Sequence, residues 1–329
     1  MTIMLETRSL SKSFTAKAST FSRLASTAGL KSREEKKTYA VNDVSLQVRA
    51  GEVLGLVGES GCGKSTVGRM VAGLLPPTSG SIEFDGNDVT KASLASHLKT
   101  QMVFQNPYAS LNPRMRIDQL ITEAAVYHGI IKKDNAANFV AALLQQVGLN
   151  SEYANRYPHQ FSGGQRQRIA IARALALNPK FIVCDEAVSA LDVSVQAQIL
   201  NLFMDLRESQ GLTYLFISHN LAVVEYIADR VAIMYLGRIV ELADTASIFR
   251  RPNHPYTRAL IDDAPRLDTK ISEYRPIQGE LPSPLNPPTG CPFHPRCPHA
   301  IERCKTERPP LVEVAPTHFS ACHLNDTAK

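Results

Sequence analysis

Residues 52–66 read E-V-L-G-L-V-G-E-S-G-C-G-K-S-T, a short apolar run that leads directly into a glycine-rich loop. The run at 52–57 predicts a buried strand, and residues 65–75 predict a helix that two prolines end. Between them, 58–65 fits the pattern G-x-x-x-x-G-K-S/T in the strand–loop–helix context that the motif requires. Because the glycines let successive backbone N–H groups turn inward, this stretch predicts a loop that binds the phosphates of a nucleoside triphosphate.

The side chains of this loop have expected roles. Lys64 would reach the β- and γ-phosphates, and the Ser65 hydroxyl would bind Mg²⁺. The alternative is a glycine-rich turn that binds nothing, and it does not explain a complete motif in its full context. The expected nucleotide-binding residues of the loop are Gly58, Ser60, Gly61, Cys62, Gly63, Lys64, Ser65 and Thr66.

The remaining apolar runs predict the fold class. Strands are expected at 81–86, 181–185 and 213–218, with a helical pattern at 195–209. Short apolar strands that alternate with helices indicate an α/β fold with a mainly parallel sheet.

Two segments interrupt this alternation. Residues 15–38 carry six Lys or Arg against two Glu among small polar residues, which predicts a flexible insertion between two strands. Residues 93–175 are mostly helical in pattern and predict an inserted helical subdomain. Eight of the 20 prolines lie at 276–298, so the C-terminal part is distinct in composition. The expected division is a nucleotide-binding core at 1–92 and 176–245, the helical subdomain at 93–175, and an extension at 246–329.

Composition excludes several classes of protein. The chain has 329 residues, 44% of them hydrophobic and 20% charged, as in ordinary globular domains. Its net charge of +5 is too small over this length to indicate a nucleic-acid partner. No apolar window has the length of a membrane span, and the N-terminus does not resemble a secretory signal. We therefore expect a cytoplasmic chain whose link to any membrane would come through its partners.

A pair of carboxylates follows the strand at 181–185. Asp185, at the end of this strand, can hold the Mg²⁺ shell through water. Glu186, one residue further, would be free to act as the general base that polarises an attacking water. Asp-Glu after a strand is ordinarily a solvated strand end, but the phosphate loop about 120 residues earlier favours the catalytic interpretation.

The six cysteines fall into two groups. Cys62 and Cys184 are isolated and are expected to be small packing residues. The other four lie in the last 39 residues with the spacing C-x5-C-x6-C-x17-C, and in a cytoplasmic chain they are expected to bind a metal rather than to form disulfides. Four thiolates suit an iron–sulfur cluster or zinc, the wide spacing disfavours zinc, and unbound thiols remain a third possibility. The four are Cys291, Cys297, Cys304 and Cys322.

Four further motifs carry a resemblance to a known family. F-S-G-G-Q-R-Q-R at 161–168 resembles the signature motif of ABC ATPases, and V-F-Q-N-P at 103–107 resembles their Q-loop. S-A-L-D at 189–192 resembles the D-loop, and I-S-H at 217–219 resembles the segment with the switch histidine. With the phosphate loop, five motifs occur in the family's order between residues 50 and 240. The resemblance implies the ABC nucleotide-binding domain and ATP hydrolysis.

The resemblance also implies roles for single residues. His219 would hydrogen-bond the γ-phosphate and the attacking water, while Gln105 would touch Mg²⁺ and sense the membrane partner. Asp192 would belong to the D-loop. The signature residues would contact the ATP held by the opposite subunit, so that one chain completes only half of each site. They are Ser162, Gly163, Gly164 and Gln165.

Some positions are ambiguous or depart from the family pattern. Phe14 matches the adenine-stacking aromatic by order, and Tyr39 is the alternative. Ala187 stands where proline is usual, and Asn220 stands where aspartate is usual. Since neither departure removes a catalytic group, we expect an effect on rate rather than on competence.

The C-terminal part resembles a narrower subgroup. H-P-Y-T-R-A-L at 254–260 and G-E-L-P-S-P-L-N-P-P at 279–288 are similar to the extension of dipeptide and oligopeptide importer ATPases. The subgroup implies two multi-span permeases, a second homologous ATPase (identical or different), a peptide-binding protein, and a position on the cytoplasmic face of the bacterial inner membrane. Some of its members carry a 4Fe–4S cluster at matching cysteines.

Other functions remain open at this point. Nickel importers have related ATPases, so the resemblance does not fix the solute. A soluble ABC ATPase that acts on nucleic acid or ribosomes, with the cysteines as a zinc module, is a second alternative. A regulatory module that does not hydrolyse ATP is a third, and the presence of Glu186 and His219 argues against it.

Overall fold

A computed structural model of the chain describes residues 2–15, 37–92, 97–263 and 279–327. The predicted insertion at 15–38 lies outside the described residues, apart from the three residues at its ends. The strands of the described chain are β1 (Ile3–Thr15), β2 (Lys37–Arg49), β3 (Val53–Val57), β4 (Ser79–Phe84), β5 (Asn87–Asp88), β6 (Thr100–Val103), β7 (Phe181–Asp185), β8 (Thr213–Ser218), β9 (Arg230–Tyr235), β10 (Arg238–Asp244), β11 (Val312–Ala315) and β12 (His318–Ser320). No helix within the four described ranges is both long and apolar enough to span a membrane.

The described α-helices are connected by loops and by short 3₁₀ helices, one of which is His294–Arg296. The α-helices are α1 (Lys64–Val71), α2 (Pro107–Ser110), α3 (Ile117–Tyr127), α4 (Ala136–Gln146), α5 (Gly163–Leu175), α6 (Val193–Gln210), α7 (Leu221–Ile227), α8 (Thr245–Arg250), α9 (Pro255–Asp262) and α10 (Glu302–Thr306).

The larger of two sheets has the strand order β11-β12-β10-β9-β3-β8-β7-β6. Its five strands from β9 to β6 run parallel, and every residue of β3, β7 and β8 is buried. Parallel strands covered on both faces are continuous apolar runs, which is why they can be located in the sequence. The predicted α/β fold with a mainly parallel sheet is confirmed.

The smaller sheet is antiparallel, with the order β2-β1-β4-β5. It shares a core with the larger sheet and α1, in which Leu10 and Val44 lie in one cluster with Leu56 and Val67. In β2 the buried positions alternate with exposed ones, as expected for a strand with one covered face. This sheet therefore lies beside the amino end of α1, where the glycine-rich loop ends.

A group of helices lies between β6 and β7 in the chain. α3, α4 and α5 contact one another, and α5 also contacts β6 and α6. Ile121, Leu144 and Ile171 are fully buried among them. The expected helical insertion is present, while the exact domain boundaries stay a prediction.

The C-terminal extension continues the larger sheet. β12 pairs antiparallel with β10, and β11 pairs with β12. Phe293 is buried against Tyr235 and Tyr256, with ring centroids 5.4 Å apart in both pairs. The sequence contains no sign of these strands, because each is only three or four residues long and is paired with a strand that no local pattern identifies: β12 with β10, and β11 with β12.

One buried carboxylate fastens this extension. Glu241 in β10 has no exposed surface. Its carboxylate accepts hydrogen bonds from the backbone N–H groups of Asn253 (2.7 Å) and His254 (3.0 Å). It also lies 2.6 Å from Nε2 of His318, at the start of β12. A single side chain thus joins β10, the start of α9 and the C-terminal hairpin.

We predict that Glu241→Ala destabilises the chain by about 2–4 kcal/mol, because three buried donors lose their acceptor. Urea unfolding followed by circular dichroism measures the loss. Glu302→Ala is the matched control, since the Glu302 side chain is 83% exposed and its removal should cost less than about 0.5 kcal/mol. Equal unfolding midpoints for the two variants would contradict the role of Glu241.

Candidate active site

The glycine-rich loop joins β3 to α1 at the carboxyl edge of the parallel strands. Lys64 is buried, and its Nζ donates to the backbone oxygens of Gly58 (2.7 Å) and Glu59 (2.9 Å). The lysine thus spans the loop from its helical end back to its start. Cys62 is buried beneath it, as expected for a packing residue, with Sγ 3.8 Å from Nζ. Ser60 and Gly61 are exposed at the tip, and Thr66 is half-buried in the first turn of α1.

At two glycines of the loop, a backbone carbonyl from a neighbouring strand occupies the space where a side chain would begin. Gly63 has a φ of +108°, and a Cβ there would overlap the carbonyl oxygen of Ala40 in β2. Gly58 likewise faces the carbonyl oxygen of Met234 in β9. The conformation of the loop therefore depends on the absence of side chains at these two positions.

The expected Mg²⁺ ligands lie next to the loop. The Ser65 hydroxyl donates to Oδ1 of Asp185 at 2.7 Å, which connects α1 to the end of β7. Burial raises the pKa of Asp185, and the hydrogen bond from Ser65 offsets part of this increase. A hydroxyl and a carboxylate are hard oxygen donors of the kind that Mg²⁺ prefers, so this pair fits the ion.

The three expected catalytic side chains converge. Nε2 of Gln105 donates to Oε2 of Glu186 at 2.8 Å, and Nδ1 of His219 lies 3.1 Å from Oε1 of the same carboxylate. Glu186 has a φ of +50°, in the left-handed region, and its N–H donates to the Ile217 carbonyl in β8. The sequence analysis predicted that Glu186 acts as the general base and did not predict the partners of its carboxylate. In the structure both of its oxygens have partners, because β6, β7 and β8 are neighbours and end at the same edge.

The signature residues occupy the start of α5. The Ser162 hydroxyl accepts from the N–H of Gln165 (3.3 Å), and Oε1 of Gln165 accepts from the N–H of Ser162 (3.0 Å). Ser162 and Gly163 are exposed, whereas Gly164 is buried against Val195 of α6. This reciprocal cap leaves the exposed start of α5 available to an anion from outside the chain. Asp192 is exposed directly before α6.

The two candidate adenine-stacking aromatics lie on paired strands. Phe14 in β1 and Tyr39 in β2 are each 45% exposed. Tyr39 precedes Ala40, whose carbonyl lies against Gly63 of the loop. The Phe14 ring is 5.6 Å from Nζ of Lys12. Tyr39 thus directly precedes a residue that lies against the loop, and the choice between Phe14 and Tyr39 stays a prediction.

The two departures from the family pattern are accommodated locally. Ala187 is buried in the main core. Oδ1 of Asn220 accepts from the N–H groups of Ala222 (3.0 Å) and Val223 (3.4 Å), so this residue caps α7. Asparagine and aspartate are equally suited to this position.

The four C-terminal cysteines are free thiols close to one another. Cys291 and Cys304 are buried, and the N–H of Cys291 donates to the Cys304 carbonyl at 2.8 Å. Burial raises the pKa of Cys291 to about 11, and charge on any of the other three thiols would raise it further. Burial also raises the pKa values of Cys297 and Cys322. In the part of the chain that the structure describes, no three or more His, Cys, Asp or Glu side chains form a group that could hold a single metal ion.

Two residues of the C-terminal part reach the phosphate loop, which the sequence did not predict. The Tyr256 hydroxyl accepts from the N–H of Glu59 at 3.0 Å, and Nη1 of Arg296 lies 2.9 Å from Oε1 of Glu59. Both contacts join residues about 200 or more positions apart, and no local pattern signals them.

Comparisons with known proteins identify the family. Residues 41–189 match the family described as ABC transporter, and residues 240–304 match the C-terminal region of oligopeptide/dipeptide transporters. The oligopeptide transport ATP-binding protein AppF of Bacillus subtilis is 50% identical over 305 residues, which cover 90% of this chain and 93% of that protein. The chain belongs to the ABC transporter ATP-binding proteins.

Solved structures of lower identity share the fold. The ATP-binding cassette MJ0796, a dimer bound to ADP and Pi, is 26% identical with a TM-score of 0.61 and covers 74% of this chain and 99% of its own. The protein cbiO1 of Clostridium perfringens, part of the ABC transporter complex cbiONQ, is 24% identical with a TM-score of 0.63, and the match covers 76% of this chain and 92% of cbiO1. This ABC ATPase is therefore an ATP-hydrolysing subunit of a transporter.

We predict that Gly63→Ala in this ABC ATPase abolishes measurable ATP binding, because its Cβ would displace the Ala40 carbonyl and open the loop. Gly61→Ala is the matched control. Gly61 also has a positive φ, +80°, but its Cβ would meet open space, so only the backbone strain of about 1 kcal/mol applies. Isothermal titration with ATP compares the two, and equal affinities would rule out the close approach as the cause.

Proposed function

We propose that this ABC ATPase energises the uptake of dipeptides or oligopeptides through a membrane importer. The observation that carries the proposal is the oligopeptide/dipeptide-type C-terminal region at 240–304, which is part of the larger sheet and contacts the phosphate loop. AppF, whose name refers to oligopeptide transport, resembles the chain over nearly its whole length. A soluble ATPase that acts on nucleic acid or ribosomes has no comparable support.

The proposed assembly rests on the resemblance to ABC ATPases, in which the signature residues contact the ATP held by the opposite subunit. Two ATPase subunits would therefore pair head to tail, and the exposed start of α5 in each would complete the other's ATP site. We infer a second homologous ATPase, different or identical, together with two multi-span permeases and a peptide-binding protein. The chain would sit on the cytoplasmic face of the bacterial inner membrane, attached through the permeases.

In the proposed mechanism Lys64 and the loop N–H groups bind the phosphates, and Phe14 or Tyr39 stacks on adenine. Ser65, Asp185 and Gln105 would hold Mg²⁺, which neutralises charge on the phosphates when it is bound. Glu186 accepts the proton of the attacking water, while His219 orients the carboxylate and contacts the γ-phosphate. Ser162, Gly163, Gly164 and Gln165 would contact the γ-phosphate in the other subunit's site.

Transport by the reconstituted complex tests the proposed solute. The chain is purified with its membrane partners, placed in proteoliposomes with the binding protein, and supplied with ATP and radiolabelled dipeptide or tripeptide. ATP-dependent peptide accumulation is expected, with no competition from nickel. Transport of nickel in place of peptide would overturn the assignment of the solute.

We predict that Glu186→Gln keeps ATP binding but lowers hydrolysis by about 100-fold or more, because an amide cannot accept the proton of water. Lys64→Ala should instead weaken ATP binding itself, since it removes the cation that faces the triphosphate. Titration calorimetry and phosphate release measure the two properties separately. Near-normal hydrolysis by Glu186→Gln, or the same binding defect in both variants, would refute this division of roles.

We propose further that Cys291, Cys297, Cys304 and Cys322 hold a 4Fe–4S cluster. Their clustering supports a shared centre. Their wide spacing in the chain, C-x5-C-x6-C-x17-C, disfavours zinc, whose structural sites use more closely spaced cysteine pairs. A cluster bridges more widely spaced cysteines and would stabilise the extension as small metal centres do. The raised pKa values mean that binding must release thiol protons, so affinity should rise with pH.

We predict that anaerobically purified chain is brown, with iron and sulfide in near-equal amounts. Replacing any one of the four cysteines by serine should remove the colour and make the extension sensitive to protease. Cys184→Ala is the control, because that buried cysteine lies in β7 and its loss should leave the colour. Colourless protein with one zinc would shift the assignment to zinc, and an ordered extension without metal would refute a metal centre.

A further inference from the structure

The C-terminal extension places a cation on the phosphate loop. Nη1 of Arg296 lies 2.9 Å and 3.2 Å from the two carboxylate oxygens of Glu59. The Arg296 side chain is only 5% exposed, and that of Glu59 is 25% exposed. Arg296 ends the 3₁₀ helix His294–Arg296, one turn after Phe293, whose ring is buried against Tyr235 and Tyr256. The position of the guanidinium is thus set by the packing of the extension.

Glu59 is the second residue of the loop. Its carbonyl oxygen accepts from Nζ of Lys64 at 2.9 Å, and its N–H donates to the Tyr256 hydroxyl at 3.0 Å. Its carboxylate is therefore a negative charge within a loop that binds a polyanion. An acidic group within such a loop repels a triphosphate and lowers its affinity unless a cation compensates for the charge.

We propose that Arg296 is a positioning residue for ATP: it neutralises Glu59 and so allows the loop to accept the triphosphate. The inference rests on ATP binding by this family and not on the identity of the solute. It assigns a role in nucleotide binding to the C-terminal extension. The extension then acts on the loop through the charge of one side chain.

A double-mutant cycle tests the proposal on the full-length purified chain. ATP affinity is measured by titration calorimetry in EDTA, where hydrolysis does not occur, for Arg296→Ala, Glu59→Gln and the double variant. Loss of Arg296 should weaken ATP binding by about fivefold, and loss of the Glu59 charge should tighten it by about twofold. The double variant should return close to the wild-type affinity. The differences should shrink at high salt.

Arg303→Ala is the matched control. Arg303 directly precedes Cys304 as Arg296 precedes Cys297, but it pairs with Glu307 and Asp326 on the surface of the extension. Its removal should leave ATP affinity unchanged. If Arg296→Ala does not fold, Arg296→Gln replaces it, with thermal unfolding as the check.

The sign of the Glu59→Gln effect distinguishes charge neutralisation from a purely mechanical role. If the ion pair merely clamps the loop, Glu59→Gln weakens binding as Arg296→Ala does, and the double variant is not rescued. Either result overturns the proposal, as does wild-type affinity in Arg296→Ala. Because transport is not measured, a failure here leaves the proposed solute untouched, and a failure of peptide uptake leaves this inference untouched.

Discussion

The phosphate loop packs its glycine backbone directly against the backbone of neighbouring strands, and the rest of the structure depends on this constraint. N–H groups can converge on phosphates only if no side chain fills the same space. Here Gly63 faces the Ala40 carbonyl of β2 and Gly58 faces the Met234 carbonyl of β9. The loop is therefore held between the two sheets. The smaller sheet, which contributes no catalytic side chain, is needed to shape the site.

Parallel pairing then accounts for the catalytic group. Since parallel strands end at a common edge, β7 brings Asp185 and Glu186 to the loop, and β8 brings His219 beside them. The sequence predicted Asp185 and Glu186 from the apolar run before them, and it predicted His219 from the resemblance of 217–219 to the switch-histidine segment of ABC ATPases. It did not predict that Gln105 and His219 would both bind Glu186. That detail depends on strand order, which no local pattern encodes.

What the sequence missed lies at the C-terminal end. Its strands are too short for an alternation of apolar and polar residues to be recognised. They form because β10 offers a strand edge with which β12 can pair. Glu241 looks like one acidic residue in an apolar strand, yet its carboxylate binds the N–H groups of Asn253 and His254 and the ring of His318, which is 77 residues away. Proline content distinguishes the segment from the rest of the chain in composition only. Its residues Phe293, Cys291 and Cys304 belong to the main core.

This integration connects the extension to the electrostatics of the phosphate loop. The loop of this chain carries an acidic residue, Glu59, that only a compensating cation makes compatible with a triphosphate. That cation comes from a segment between two cysteines, so the order of the extension and the electrostatics of the loop are linked. A change that loosens residues 291–297 would expose the Glu59 charge without touching any catalytic side chain. The extension is thus better understood as a part of the nucleotide site than as an independent module.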